Sequence, residues 1–133
     1  MMRSYTAWDR ATGRVRQACS GPEATAELSF PGYAILWDVM LDAAREYVDP
    51  STGEPRPRPI LDGLEADKTS IQADGLDTAT IRGIPAGAIV RIGALQYQMD
   101  EPTLEFSTIF PGRYAIHVES WPYLTREILI HAR

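Results

Sequence analysis

The sequence lacks the features by which many small proteins are cross-linked or held at a membrane. Its one cysteine, Cys19, excludes an internal disulfide and a cysteine-rich zinc site. No apolar run approaches the roughly 20 residues that a membrane-spanning helix needs. The first five residues lead into polar residues rather than into the apolar segment of a signal peptide. We therefore expect a chain that is made in a reducing cytoplasm and folds by packing alone.

Basic charge is also scarce. Lysine and arginine together number 13 against 18 acidic residues, which gives a formal net charge of -5. Because binding to a nucleic-acid backbone normally needs a basic face, this balance argues against a nucleic-acid partner. Arg10, Arg14 and Arg16 do cluster, but they alternate beside Asp9 and predict the solvated face of a hairpin.

Signatures of catalysis are missing as well. There is no nucleophile elbow, P-loop, H-E-x-x-H or G-x-G-x-x-G motif. His117 and His131 lie in no metal-binding or general-base pattern, and His117 is predicted to face solvent from a strand. Acidic residues crowd one segment without the spacing of a calcium loop: Asp62, Glu65, Asp67, Asp74 and Asp77. The sequence predicts no catalytic residue, no metal site and no cofactor.

A small hydrolase that uses Asp74 and Asp77 is the weakest alternative. These two carboxyls are three residues apart on a predicted turn. Nothing in the sequence around them explains the raised pKa that a general acid requires.

What the sequence does contain is a long succession of strand signals. Alternating apolar and polar residues recur between Thr69 and His131, which is typical of strands that bury one face. Seven segments carry this alternation: 70–73, 78–81, 89–92, 95–99, 104–107, 114–118 and 127–130. Turn residues separate them at the spacing of sandwich proteins. The chain is therefore predicted to be mainly β, with a C-terminal β-sandwich.

The first half contains a short sequence pattern that occurs twice. The segments Asp9–Arg16 and Asp49–Arg56 share Asp, Thr, Gly and Arg at the same offsets. An aspartate that accepts backbone hydrogen bonds and a glycine in the left-handed region are typical of hairpin tips. Two tips are too few for a repeat array, which needs about three copies. We expect an N-terminal β-hairpin region.

Two structures are open for Tyr33–Val48. Its apolar residues fit one face of a short helix. Alternatively, a strand covers 34–37 and a second strand runs from 45 to 48 into the Asp49 tip. The alternating prolines of Pro55–Pro59 then predict either a stiff linker or an edge strand. We expect residues 1–60 to form the hairpin region with this proline-rich linker, and residues 61–133 to form the sandwich.

Three aromatic residues are candidates for an interaction surface. Trp121, Tyr123 and Tyr97 carry large contact areas with a polar group, as residues that bind proteins or sugars do. The alternative is that they pack at the edge of the core, with Trp121 and Tyr123 at the corner between the last two strands.

Two segments also carry a resemblance to a known family. Thr69–Ile81, with its Ala-Asp-Gly turn, is similar to the opening of bacterial immunoglobulin-like domains of the invasin and phage-virion kind. Phe106–Tyr114 contains the Pro-Gly-x-Tyr turn that these domains place before a late strand. The chain as a whole resembles small proteins encoded among phage and prophage tail genes. It lacks the cysteine pair of antibody domains, so kinship with antibodies does not follow.

The resemblance implies a fold and a role. The fold is an immunoglobulin-like sandwich, and the role is that of a non-enzymatic structural or assembly component of a phage tail, acting as a rigid spacer or protein-interaction module. Its partners would be other phage structural proteins or further copies of itself, and it would pass from the host cytoplasm into the virion. The alternative is a carbohydrate-binding module that recognises cell-surface glycans through Trp121, Tyr123 and Tyr97.

Overall fold

The computed structural model describes residues 2–133 and is mainly β, with 46% of residues in strands and 5% in helices. The predicted mainly-β class is confirmed. The chain divides into two compact units, and the boundary between them in sequence lies between Arg58 and Pro59. Each unit has its own sheets.

The first unit contains five strands and a short helical segment. They are β1 (Met2–Trp8), β2 (Val15–Pro22), a 3-10 turn (Glu23–Thr25), α1 (Ala26–Ser29), β3 (Ala34–Trp37), β4 (Glu46–Asp49) and β5 (Glu54–Pro57). Strand β1 is central in a three-stranded sheet of order β2-β1-β3, and β4 pairs with β5 in a separate hairpin. All of these pairs are antiparallel.

The two hairpin tips have the same hydrogen-bond pattern. The N–H of Gly13 donates to the carbonyl of Asp9 at 2.8 Å, and the N–H of Gly53 donates to the carbonyl of Asp49 at 2.7 Å. Each aspartate Oδ1 also accepts the N–H two residues further on, at 2.8 Å and 3.0 Å. Both glycines have positive φ, 80° and 74°. The two hairpin tips predicted from the repeated sequence pattern are confirmed.

The helix considered for Tyr33–Val48 is wrong, and the two-strand alternative is confirmed. Strand β3 pairs with β1, with Ile35 opposite Ala7, and β4 begins at Glu46. The helical spacing of apolar residues misleads here because β1 offers a hydrogen-bonding partner that local periodicity does not reveal. The short helix of this unit is α1, upstream of the segment in question.

The proline-rich segment is partly a strand. Pro55 and Pro57 lie in β5, opposite Val48 and Glu46 on β4. Proline is tolerated there because β5 is an edge strand and no further strand requires its missing N–H. The edge-strand interpretation therefore holds for this part, and the division between the units falls just after it.

The second unit contains eight strands in two sheets. They are β6 (Glu65–Ala66), β7 (Ser70–Ile71), β8 (Ala79–Arg82), β9 (Ile89–Ile92), β10 (Leu95–Gln98), β11 (Leu104–Phe106), β12 (Gly112–Glu119) and β13 (Arg126–Ala132). The larger sheet has the order β10-β9-β12-β13-β7 and the smaller has the order β11-β8-β6. Each of the seven predicted segments overlaps one of these strands, and β6 was not predicted.

Both sheets contribute to one apolar core. Ile81 of the smaller sheet and Val90, Ile116 and Ile130 of the larger sheet are fully buried in the same cluster. Their neighbours in sequence are more exposed, as the alternation predicts for strands with one wet face. The second unit is therefore a β-sandwich.

A tyrosine ties the start of β12 to the preceding turn. The hydroxyl of Tyr114 donates to the carbonyl of Phe110 at 2.7 Å and lies 3.1 Å from the hydroxyl of Thr108. Its ring packs beside Phe106, with centroids 5.0 Å apart. Immunoglobulin sandwiches carry a comparable tyrosine before a late strand. The family resemblance itself stays a prediction.

Candidate functional site

The three aromatic residues predicted to form an interaction surface lie in two different elements of the second unit. Tyr97 lies on β10, at an edge of the larger sheet, and 43% of its surface is exposed. Trp121 and Tyr123 lie in the turn between β12 and β13, and both are half-buried. Tyr123 packs against the core. Tyr97 therefore presents the most accessible ring, whereas Tyr123 contributes at least part of its ring to packing.

The strand that carries Tyr97 is the notable feature of this region. All four residues of Leu95–Gln98 are exposed, and among the strands of residues 2–133 they pair with β9 alone. Two-residue turn geometry joins β9 to β10: Ile92 faces Leu95, and Gly93 has a φ of 57°. A glycine with positive φ at the first central position suits a tight hairpin turn. The turn therefore holds β10 extended along the sheet edge.

Charged residues form a row on the outer face of the larger sheet. Arg91, His117 and Glu127 are directly opposite one another on β9, β12 and β13. His117 Nε2 lies 3.5 Å from Glu127 Oε2, and Arg91 pairs with Glu119. Arg91 Nε also donates to the side-chain oxygen of Gln96 at 3.1 Å. His117 lies opposite in direction to the buried Ile116 and Val118, as predicted.

The side chains of this row pair with one another across neighbouring strands. Arg91 and His117 each lie beside a glutamate on a neighbouring strand, and both pairs are partly exposed. Exposed pairs of this kind contribute little to stability, about 0–1 kcal/mol each. Their effect is to keep the outer face polar.

Two carboxylates of the acidic segment, Asp74 and Asp77, accept hydrogen bonds from nearby backbone N–H groups. Asp74 Oδ1 accepts the backbone N–H groups of Leu76 and Asp77 at 2.8 Å and 2.9 Å, and these bonds hold the pKa of Asp74 below its usual range. Asp77 pairs with Lys68 and accepts the N–H of Gln72, which likewise lowers the pKa of Asp77. A general acid needs a raised pKa, so both shifts are in the wrong direction for that role.

The sequence contains no sign of a cluster of contacts around the Arg3 side chain in the first unit. The guanidinium of Arg3 makes two hydrogen bonds to the carboxylate of Asp38, at 2.8 Å and 3.2 Å, and lies 3.1 Å from Glu23. It also lies over the ring of Trp37, 4.5 Å from the centroid. Arg3 lowers the pKa of Asp38. The partners are distant in sequence, so no local motif could have shown them. The contacts join β1 to the end of β3 and to the 3-10 turn.

The sequence also did not identify β10 as an edge. Whether a strand is central or at an edge depends on which strands pair, and this is not visible in its own residues. The available signal was the uncharged run Leu95–Met99 beside a chain that is otherwise rich in charge.

Comparisons with models of known protein families, with curated proteins and with solved structures found no match to this chain. Within residues 2–133, no group of three or more His, Cys, Asp or Glu side chains is placed to hold a metal ion. The same residues include no helix with the length and apolar content needed to cross a membrane.

Proposed function

We propose that this chain is a non-enzymatic structural or assembly component of a phage or prophage tail, in which the β-sandwich acts as a rigid module that contacts other proteins. The observation that carries the proposal is the combination of a continuous apolar core with an exposed, uncharged sheet edge in residues 59–133. A packed core gives stiffness, and an open edge offers backbone hydrogen bonds to another protein. The phage setting is supported by the sequence resemblance.

The polar parts of the second unit agree with such a role. Its carboxylates at Asp74 and Asp77 stabilise turns, and its outer-face charges pair with one another. Side chains used in this way maintain a shape and a polar surface. Partners in this role are other tail proteins or further copies of the chain.

The proposal is tested on phage particles from the strain that encodes the chain. Particles are induced, purified on a density gradient and analysed by quantitative mass spectrometry, with a strain deleted for the gene as the matched control. We expect a fixed number of copies per particle, and tails that are missing or malformed in the deletion strain. Particles that lack the chain and a deletion strain that makes normal infectious tails would together contradict the proposal.

The second candidate is a glycan-binding module, favoured by the exposed ring of Tyr97. A sugar ring stacks on an exposed aromatic face, so binding should depend on that ring. Glycan-array binding that is lost in Tyr97→Ala and in Trp121→Ala would support this function. Phe110→Ala is the control, because Phe110 is 67% exposed on a different loop. Equal binding by all three variants, or no binding by the unmodified chain, would exclude it.

A further inference from the structure

One edge of the larger sheet lacks the usual protections against strand addition. Natural edge strands are blunted by shortness, by charged side chains or by proline. Strands β6 and β7 are only two residues long, and the three-residue β11 carries Glu105. Strand β10 reads Leu-Gln-Tyr-Gln, without charge or proline, and all four residues are exposed. Among the edges of the second unit, β10 is the one best suited to pair with another strand.

The backbone of β10 directs hydrogen-bonding groups toward this open side. Met99, the residue after the strand, donates its N–H to Ala88 at 2.8 Å and accepts the N–H of Gly87 at 2.7 Å. The backbone groups of Met99 therefore point toward β9. Because these groups alternate in direction along an antiparallel strand, those of Gln96 and Gln98 point away from β9. An added strand would find an N–H and a C=O at each of these two residues.

The run Leu95–Met99 is complementary to itself. When two copies are placed antiparallel about Tyr97, the two tyrosines face each other and Gln96 of each copy faces Gln98 of the other. Leu95 then faces Met99. Both glutamine pairs are hydrogen-bonded pairs, so every outward backbone group of these residues finds a partner. The pairs are aromatic with aromatic, amide with amide and apolar with apolar.

Other registers are less complementary. A pairing centred on Gln98 places Gln96 opposite Asp100 and aligns Tyr97 with Met99. A pairing centred on Gln96 places Gln98 opposite Ala94, which belongs to the turn after β9. In the register centred on Tyr97, Asp100 of each copy lies beyond the paired residues, and the acidic groups of the two copies lie at opposite ends of the paired segment.

We propose that β10 pairs antiparallel with β10 of a second copy of this chain, in the register centred on Tyr97, so that the larger sheet continues across both copies. A second copy is the fitting partner because the edge matches its own reversed sequence and carries no charge that selects an oppositely charged protein. This dimer names a second copy of the chain as a partner in the proposed structural role. It rests on that role only for its biological purpose.

The first test is the mass of the full chain in solution. Sedimentation equilibrium should show a concentration-dependent shift from 14.8 kDa toward twice that mass. Because each copy carries a net charge of -5, raising the salt concentration should screen repulsion and strengthen the association. A chain that stays at 14.8 kDa up to millimolar concentration overturns the proposal.

Variants on the open side of β10 provide the second test. Gln98→Pro removes an outward N–H without removing a hydrogen bond to β9, and we expect it to weaken dimerisation at least tenfold while the circular dichroism spectrum is unchanged. Leu129→Lys is the control, because Leu129 is also exposed but lies on β13, away from this edge. It should dimerise like the unmodified chain. Unchanged dimerisation in Gln98→Pro overturns the proposal.

A charge exchange tests the register. Gln96→Lys with Gln98→Lys places like charges opposite each other in both glutamine pairs, so this double variant should be monomeric. The corresponding double glutamate variant should be monomeric for the same reason. A mixture of the two should form a heterodimer, and a mixture that remains monomeric contradicts the proposed register. A monomeric result in these experiments leaves the presence of the chain in phage particles to be decided separately, so the two proposals fail independently.

Discussion

The first unit, which ends at Arg58, buries few apolar side chains, whereas Pro59–Arg133 holds 13 of the 18 buried apolar residues of the described chain in one cluster. The first unit instead relies on polar contacts within and between its strands. It has the two aspartate tips, the Arg3 ion pairs and a buried threonine whose hydroxyl bonds to the backbone. The two units should therefore respond to different substitutions: the second to loss of apolar volume, the first to loss of backbone geometry and hydrogen bonds.

The largest effect is expected in the core of the second unit. Ile116 is fully buried on β12, so Ile116→Ala removes apolar volume that the surrounding side chains cannot fill. We expect a loss of about 2–5 kcal/mol in the free energy of unfolding. Hydrogen exchange of peptides from β12 and β13 measures it. Leu129→Ala is the control, because Leu129 is 56% exposed on the neighbouring strand, and its effect should stay within about 0.5 kcal/mol. Equal losses in both variants would mean that the burial of Ile116 does not stabilise the second unit.

The two hairpin tips of the first unit provide a matched pair. A Cβ at Gly13 would lie 1.9 Å from the carbonyl oxygen of Val48, whereas a Cβ at Gly53 meets nothing within 4 Å. Both residues have positive φ, so Gly53→Ala should cost about 1–2 kcal/mol through backbone strain alone. Gly13→Ala should lower the free energy of unfolding by more, because the added Cβ also displaces the backbone of β4. This displacement weakens the hydrogen bond that the N–H of Val48 donates to the carbonyl of Gly13.

Hydrogen exchange of peptides from β1 and β2 measures this difference for residues 2–22. Two variants of equal stability would mean that the contact between the first tip and β4 does not support the unit. A greater loss in Gly53→Ala would contradict the prediction outright.

An effect smaller than that in the core of the second unit is expected at Thr6, which is fully buried on β1. Its hydroxyl donates to the carbonyl of Val39 at 2.7 Å and accepts the N–H of Leu41 at 3.1 Å. Thr6→Val keeps the shape but leaves both backbone groups without this partner, and we expect a loss of about 1–3 kcal/mol. Thr6→Ser keeps the hydroxyl and is the control. Chemical denaturation that shows Thr6→Val to be the more stable of the two would contradict the role of this hydroxyl.

The smallest effect is expected from acid. Hydrogen bonds and ion pairs lower the pKa of Asp38 and Asp49 in the first unit, and of Asp74 and Asp77 in the second. A carboxyl whose pKa is lower in the folded state contributes stability above its unfolded pKa of about 3.9, and that contribution is lost as the pH falls through the folded value. Both units should therefore lose stability below about pH 4.

Thermal denaturation between pH 6 and pH 3 measures this dependence. Asp77→Asn removes one of the titrating groups together with its charge opposite Lys68. The thermal stability of this variant should therefore fall less steeply as the pH is lowered. Glu105→Gln is the control, because Glu105 is an exposed acid on β11. A decline that is equally steep in Asp77→Asn and in the unmodified chain would exclude Asp77 as a contributor.

Some elements were predictable because their signals are local. Seven strands of the second unit lie in segments where apolar and polar residues alternate. Asp9 and Asp49 each accept hydrogen bonds from backbone N–H groups within the next four residues, so each tip is determined by near neighbours. Tyr33–Val48 was not predictable in this way. Its apolar spacing suits a helix, but β1 pairs with residues 34–37, and the hydroxyl of Thr6 holds the backbone on either side of Met40.

The candidate site shows the same division. The sequence singled out Tyr97 as an aromatic residue in a strand, but its role in the proposed interface depends on β10 being the outermost strand of the larger sheet. The Arg3 pairs likewise join residues 20 and 35 positions apart, and no spacing rule connects them.

The order of apolar, polar and turn residues was sufficient to specify a mainly-β chain, its strands after residue 69 and its two aspartate tips, since alternation and turn chemistry act between near neighbours. Which strand lies at an edge, which backbone groups are left open, and which charges meet were decided by pairing between distant strands. Such pairing depends on the free energy of the whole sheet and its core, and a single segment does not contain that information.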